Sequence, residues 1–130
     1  LLGLDVKALL DGAREAVSRK DALAELTTQF VMSLERGERT TYFFSYCDDL
    51  RYWGQWLQQL WAESLGKKLD RKGRPAAPMS VPLGCRGSTD QHSVLQQIAE
   101  GTQAKFTCFL RVGESEGAGF KLNNQVFALE

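Results

Sequence analysis

The stretch Thr40-Thr41-Tyr42-Phe43-Phe44-Ser45-Tyr46 decides the fold. It is rich in β-branched and aromatic residues, and its apolar side chains fall on both faces of a period-2 pattern. A strand with one solvated face alternates apolar and polar residues, whereas a strand covered by helices on both sides does not. The stretch therefore predicts a central, parallel strand within an α/β sheet.

Outward in both directions the period becomes helical. Upstream, Val6, Leu9, Leu10, Ala13 and Val17 recur at three-and-four spacing behind Asp5, which is placed as an N-cap. A second helix is expected from about Asp21 to Glu35, carrying Leu23, Leu26, Phe30, Val31 and Leu34, with Gly37 at its end. Downstream, Asp48 or Asp49 is expected to cap a third helix with Leu50, Trp53, Leu57, Leu60, Trp61 and Ser64 on one face and Gly66 as its stop. Residues 67–78 are polar and punctuated by Gly73, Pro75 and Pro78, hence a loop.

A short strand from Met79 to Leu83 follows, in which Pro82 points to a sheet edge. Gly87 to His92 opens a fourth helix, with Ser88 and Gln91 at capping-box spacing, Val94, Leu95 and Ile98 facing inward and Gly101 closing it. Lys105 to Val112 reads as an apolar strand. Gly113 to Gly119 reads as an acidic, Gly-rich turn, and Gln125 to Leu129 as one more strand or the start of a helix. Helices alternating with buried strands predict a three-layer α/β sandwich, a mainly parallel sheet flanked by helices and joined by right-handed crossovers.

With 130 residues and 14.5 kDa, the chain suits a single domain with its own core. Sixteen basic and sixteen acidic residues give zero net charge and a pI near 6.8, which excludes the broad basic field of a protein that grips a nucleic-acid backbone. No apolar run reaches the roughly 18 residues of a membrane-spanning helix, and Leu1-Leu2-Gly3-Leu4 lacks the charged start of a signal peptide. The first residue is not Met, and Leu129-Glu130 follows no closing helix, so both ends are expected to be cuts within a longer protein. Cys47, Cys85 and Cys108 are odd in number and widely spaced, a pattern that fits neither a paired disulfide framework nor the close Cys-x-x-Cys ligand spacing of a zinc site. Cys47 and Cys108 lie in apolar, strand-like surroundings and read as small buried hydrophobes, in keeping with a reducing cytoplasm.

Ligands of open α/β sheets bind beyond the carboxyl ends of the strands. The loop from Cys85 to His92 qualifies, because its backbone N–H groups and the Ser88 and Thr89 hydroxyls suit an anion. The far end of the third helix is the second candidate. There Gln55, Gln59 and Glu63 stand four apart in one polar stripe, and a carboxylate bordered by Leu60 and Trp61 is expected to be partly desolvated, as a general base would be. The same stripe is also what the solvated face of any surface helix shows. His92, the one histidine, sits near a helix N-terminus, where the dipole favours the neutral imidazole and acid–base use; capping or packing is its plainer role. No Gly-x-Gly-x-x-Gly, no phosphate loop ending Gly-Lys-Ser/Thr and no nucleophile elbow is present, and redox and hydride chemistry lose their usual entry points.

Gln58-Gln59-Leu60-Trp61-Ala62-Glu63-Ser64-Leu65-Gly66-Lys67, followed by Gly87-Ser88-Thr89-Asp90-Gln91-His92-Ser93-Val94-Leu95-Gln96, resembles the glucose-6-phosphate isomerase family, in particular its shorter bacterial members. The resemblance runs from the first helix to Val112 and covers chiefly the second sugar-isomerase (SIS) domain of a larger enzyme. It implies a SIS-like, Rossmann-like topology, with residues 1–130 a single partial domain. It also implies interconversion of glucose 6-phosphate and fructose 6-phosphate without metal or organic cofactor, by a cytoplasmic homodimer in glycolysis and gluconeogenesis that engages neither nucleic acid nor membrane.

By the same resemblance, Glu63 moves the proton between C2 and C1 through a cis-enediolate, and Gln59 lies against the sugar phosphate. His92 assists ring opening and reaches the site from the partner subunit. Leu65 replaces a common Asn, and Leu83-Gly84-Cys85 a common Trp-Gly-Glu, at positions that are not acid–base groups. The family's phosphate loop, its enediolate-stabilising arginine and its C-terminal lysine motif have no match here, so these residues alone are expected to be inactive. A non-catalytic sugar-phosphate-binding module, or a dimerisation scaffold built on Leu50 to Trp61, would use the same residues without turnover.

Overall fold

The computed structural model describes residues 3–112, 118–122 and 125–128. These residues fall into two compact units, Leu1–Met32 and Ser33–Glu130. The first unit holds α1 (Val6–Ser18) and most of α2 (Lys20–Glu35). Asp5 caps α1 as expected, its carboxylate accepting from Ala8 N at 2.9 Å. The apolar stripe of α1 stays exposed, with Leu9 and Val17 each 71% accessible.

The second unit opens with the end of α2. Glu38 N donates to Ser33 O, and Gly37 N to Leu34 O, both at 3.0 Å. Gly37 takes a φ of 81°, which satisfies the orphan carbonyls and stops the helix where the sequence places the stop. β1 (Thr40–Ser45), β2 (Val81–Arg86), β3 (Lys105–Val112), β4 (Ala118–Leu122) and β5 (Gln125–Ala128) form one sheet in the order β2-β1-β3-β4-β5. β1 is parallel to both neighbours, while β4 and β5 add antiparallel strands beyond β3. Residues 41–45 are buried throughout, so this stretch is the central, doubly covered strand that its composition predicts.

The pleat sorts that strand onto two faces. Phe43, beside Gly84 of β2 and Cys108 of β3, meets α3 (Trp53–Leu65) through Trp53 and Trp61, whose ring centroids lie 6.3 and 5.6 Å from it. Tyr42 and Phe44 face the other way and cluster with Cys85; Leu83, Val94 and Ile98 pack on that cluster, the last two from α4 (Gln91–Glu100). Helix, sheet and helix make the three-layer α/β arrangement expected. Gly54 and Gly84 let α3 come down on β2: a Cβ on Gly54 would sit 3.0 Å from Gly84 Cα.

Several local expectations change. β2 is the edge strand that Pro82 indicated, but it runs on to Arg86. Neither Asp48 nor Asp49 caps α3. They open a short 3-10 helix (Asp48–Leu50), and Tyr52 precedes α3 without a side-chain cap. No Ser88–Gln91 capping box forms at α4, because a run of tight turns already pairs Gln91, His92 and Ser93 N with Ser88, Thr89 and Asp90 O. Leu95 turns outward, 51% exposed. Cys85 rather than Cys47 shares full burial with Cys108; Cys47 lies just past the end of β1 and is half-buried. Ala118 and Gly119 belong to β4 rather than a turn, residues 113–117 lie outside the described residues, and Gln125–Ala128 resolves as a strand.

Candidate active site

Two groups of candidate side chains exist, and the sheet lies between them. The first is on α3. Glu63 stands ten residues after Trp53, about 15 Å along the axis, so it lies toward the amino ends of the strands rather than at their carboxyl edge. Gln59 Nε2 donates to Glu63 Oε1 at 3.1 Å, as the four-residue spacing allows. Glu63, Gln59 and Gln55 are all exposed, and so is Leu60, so the desolvation expected around the Glu63 carboxylate is not present in this chain alone. Adjacent glutamines divide the work: Gln58 Oε1 accepts from Gly84 N at 3.1 Å and ties α3 to β2, leaving Gln59 on the outer face.

The second group is at the carboxyl edge, where β2 leads into α4. His92 is the second residue of α4 and is exposed. The preceding loop differs from the anion cradle expected of it. Gly87, Asp90, Gln91 and His92 N–H groups donate to Ser45, Arg86, Ser88 and Thr89 carbonyls, so they are taken by the loop and by the ends of β1 and β2. Asp90 carboxylate accepts from Arg86 N at 2.6 Å, and Gln91 Nε2 donates to the Tyr46 hydroxyl, which pins the start of α4 to the end of β1.

Between the start of α3 and this loop lies a cavity of about 300 Å³. Arg51, Gln55, Arg86, Thr89 and Asp90 give it its polar groups, and Arg86 also pairs with Asp48 at 2.8 Å. Arg51 lies with its guanidinium 5.0 Å from the Tyr52 ring centroid. Neither arginine stands out in the sequence; the signal for them is that Arg86 ends β2 and Arg51 lies in the segment between β1 and α3, at the carboxyl ends of two parallel strands. Cys85 also lines the cavity, but burial, reinforced by the Asp90 charge, pushes its thiol up to about 11 and keeps it protonated. Burial likewise pushes Cys108 up to about 12.

Gln59 and Glu63 are therefore brought together, while His92 is not brought to them: α3 covers the Phe43 face of the sheet and α4 the Tyr42–Phe44 face. Among the described residues no cluster of His, Cys, Asp or Glu could hold a metal ion, and no helix is long and apolar enough to cross a membrane.

A sheet whose β2, β1 and β3 run parallel, flanked by helices, defines an α/β protein, with the Gln59–Glu63 pair on one helix and His92 at the start of the next. The chain belongs to the phosphoglucose isomerase family, whose profile matches residues 14–128. It is similar to the glucose-6-phosphate isomerase of Carboxydothermus hydrogenoformans, 37% identical over 117 residues that cover 85% of this chain and 25% of that protein. The Rubrobacter xylanophilus glucose-6-phosphate isomerase is 40% identical over 119 residues, 86% of this chain and 26% of that one. The chain thus spans about a quarter of the length of the curated relatives it matches. Among solved structures it is similar to a hypothetical protein from Thermus thermophilus, with a TM-score of 0.63 and 32% identity, covering 88% of this chain and 30% of the other.

Proposed function

We propose that this chain is the part of a glucose-6-phosphate isomerase that supplies the base Glu63, its neighbour Gln59 and the ring-opening residue His92. The reaction interconverts glucose 6-phosphate and fructose 6-phosphate, a step of glycolysis and gluconeogenesis, in the cytoplasm and without metal or organic cofactor. The observation that carries the reading is the Gln59–Glu63 pair, placed on one helix face within the motif whose family the chain shares.

In the open-chain aldose, Glu63 carboxylate takes the proton from C2. The C2–H electron pair becomes the C1–C2 double bond of a cis-enediolate, and the carbonyl pair moves to O1. Glu63 then returns the proton to C1 as O2 becomes the ketose carbonyl, with a proton passing between the two oxygens. His92 exchanges a proton with the ring oxygen to open the cyclic sugar. Because α3 and α4 occupy opposite faces of the sheet, Glu63 and His92 of one chain serve different sites, each completed by the other subunit of a homodimer. Residues 1–130 act as one sugar-isomerase (SIS) domain, and alone they lack the phosphate grip and the enediolate stabiliser needed for turnover.

The test is hydrogen exchange in D₂O. Full-length protein incubated with fructose 6-phosphate is expected to place deuterium at C2 of the aldose, and Glu63→Gln to lower turnover by about 10²–10⁴-fold. Sugar-phosphate binding without exchange in the parent protein would make it a non-catalytic binding module instead.

A further inference from the structure

We infer that Gln59 is a positioning residue for Glu63, one that fixes the carboxylate before it meets the C2 proton; this rests on the isomerase reading above. The hydrogen bond can form in one sense only. An ionised carboxylate has no proton to donate, so the amide must present its NH₂ to Glu63, as the 3.1 Å contact between Nε2 and Oε1 requires. With Oε1 engaged, Oε2 is left for the substrate proton.

The bond is useful because of what lies beneath it. Glu63 is exposed, and a free glutamate on a helix surface moves among many rotamers. A base that collects a proton from one carbon and returns it to the next must stay near both, and small misplacements are costly. The backbone under Gln59 is firm: Trp53 and Trp61 pack on Phe43, Gly54 meets Gly84, and Gln58 holds Gly84 N. Gln59 transmits that anchorage to the reacting oxygen. Its amide carries a second N–H, which remains available for a phosphorylated substrate, so contact with the sugar phosphate and orientation of the base are compatible in one side chain.

The experiment uses the full-length enzyme and glucose 6-phosphate deuterated at C2. It measures kcat, KM and the share of label recovered at C1 of the ketose. Gln59→Met keeps the length and helix propensity but cannot donate; kcat is expected to fall about tenfold and the recovered label to drop, because a loosened base loses its deuteron to solvent before returning it. Gln59→Lys keeps a donor at similar reach and is expected to recover label better than Gln59→Met. A higher KM alone, with kcat and label recovery unchanged, would overturn the inference and leave Gln59 a substrate contact only. Equal label loss in both variants would also overturn it. Glu63→Gln is run alongside: if it turns over normally, the isomerase reading itself falls, independently of Gln59.

Discussion

The two faces of the sheet are covered unequally. On the Phe43 side, two tryptophans bracket one phenylalanine and a glycine pair lets backbones touch. On the Tyr42–Phe44 side, Val94 and Ile98 make the contact, while Leu95 stays 51% exposed, Tyr46 49% and Phe109 38%. Phe44 stacks on Phe109 at 5.6 Å, and Tyr46 stacks beside them, so the aromatic layer continues past the helix that covers it. The contrast teaches that α3 is set by tight, specific packing and α4 by a smaller aliphatic contact plus the hydrogen bonds of its first turn. The helix bearing the proposed base is the better fixed of the two.

The largest effect expected of that asymmetry is on stability. Phe43→Ala removes the ring on which both tryptophans rest and should cost about 3–5 kcal/mol, whereas Val94→Ala should cost about 1–2 kcal/mol. Urea-unfolding midpoints compare them directly, and equal losses would dissolve the contrast. Alkaline pH gives a smaller effect that samples both faces, since Cys108 lies beside Phe43 and Cys85 beside Phe44. Burial raises both thiols in the folded chain, to about 12 and about 11 from a reference of 9.0. The folded state therefore holds protons that the unfolded state releases, and stability is fully present below pH 9 and declines as pH rises toward those values. Thermal melts at pH 8 and pH 10 should show the decline, and Cys85→Ala with Cys108→Ala should flatten it; an unchanged slope would mean the thiols are not buried as described.

Much of the fold is legible in the chain because burial writes itself into residue type. Thr40 to Tyr46 admits few structures other than a doubly covered strand, and Pro82 marks an edge because it has no N–H to give to a ladder. Gly37 and Gly101 stop helices for stereochemical and solvation reasons that act locally. Less legible are the helix starts. Asp48, Asp49 and Ser88 are all good caps by type, yet backbone turns satisfy the same N–H groups first, and side-chain type cannot show which partner prevails.

The site divides in the same way. The four-residue spacing of Gln59 and Glu63 is a property of one helix, and it survives intact. That Leu60 and Trp61 would desolvate Glu63 depended on which way each faced: Trp61 turns to Phe43 while Leu60 and Glu63 turn outward. Arg51 and Arg86 meet only through the parallel pairing of β1 with β2, a register that no single segment encodes.

Glu63 and His92 of one chain are proposed to work in different sites. Full-length Glu63→Gln and His92→Gln proteins, each weak in turnover, should be co-refolded so that subunits mix at random. Half of the resulting dimers would then carry one intact site of two, and turnover is predicted to return to about a quarter of the parent value. A mixture no more active than the average of its two parents would rule out shared sites and place both residues in a site made by one chain.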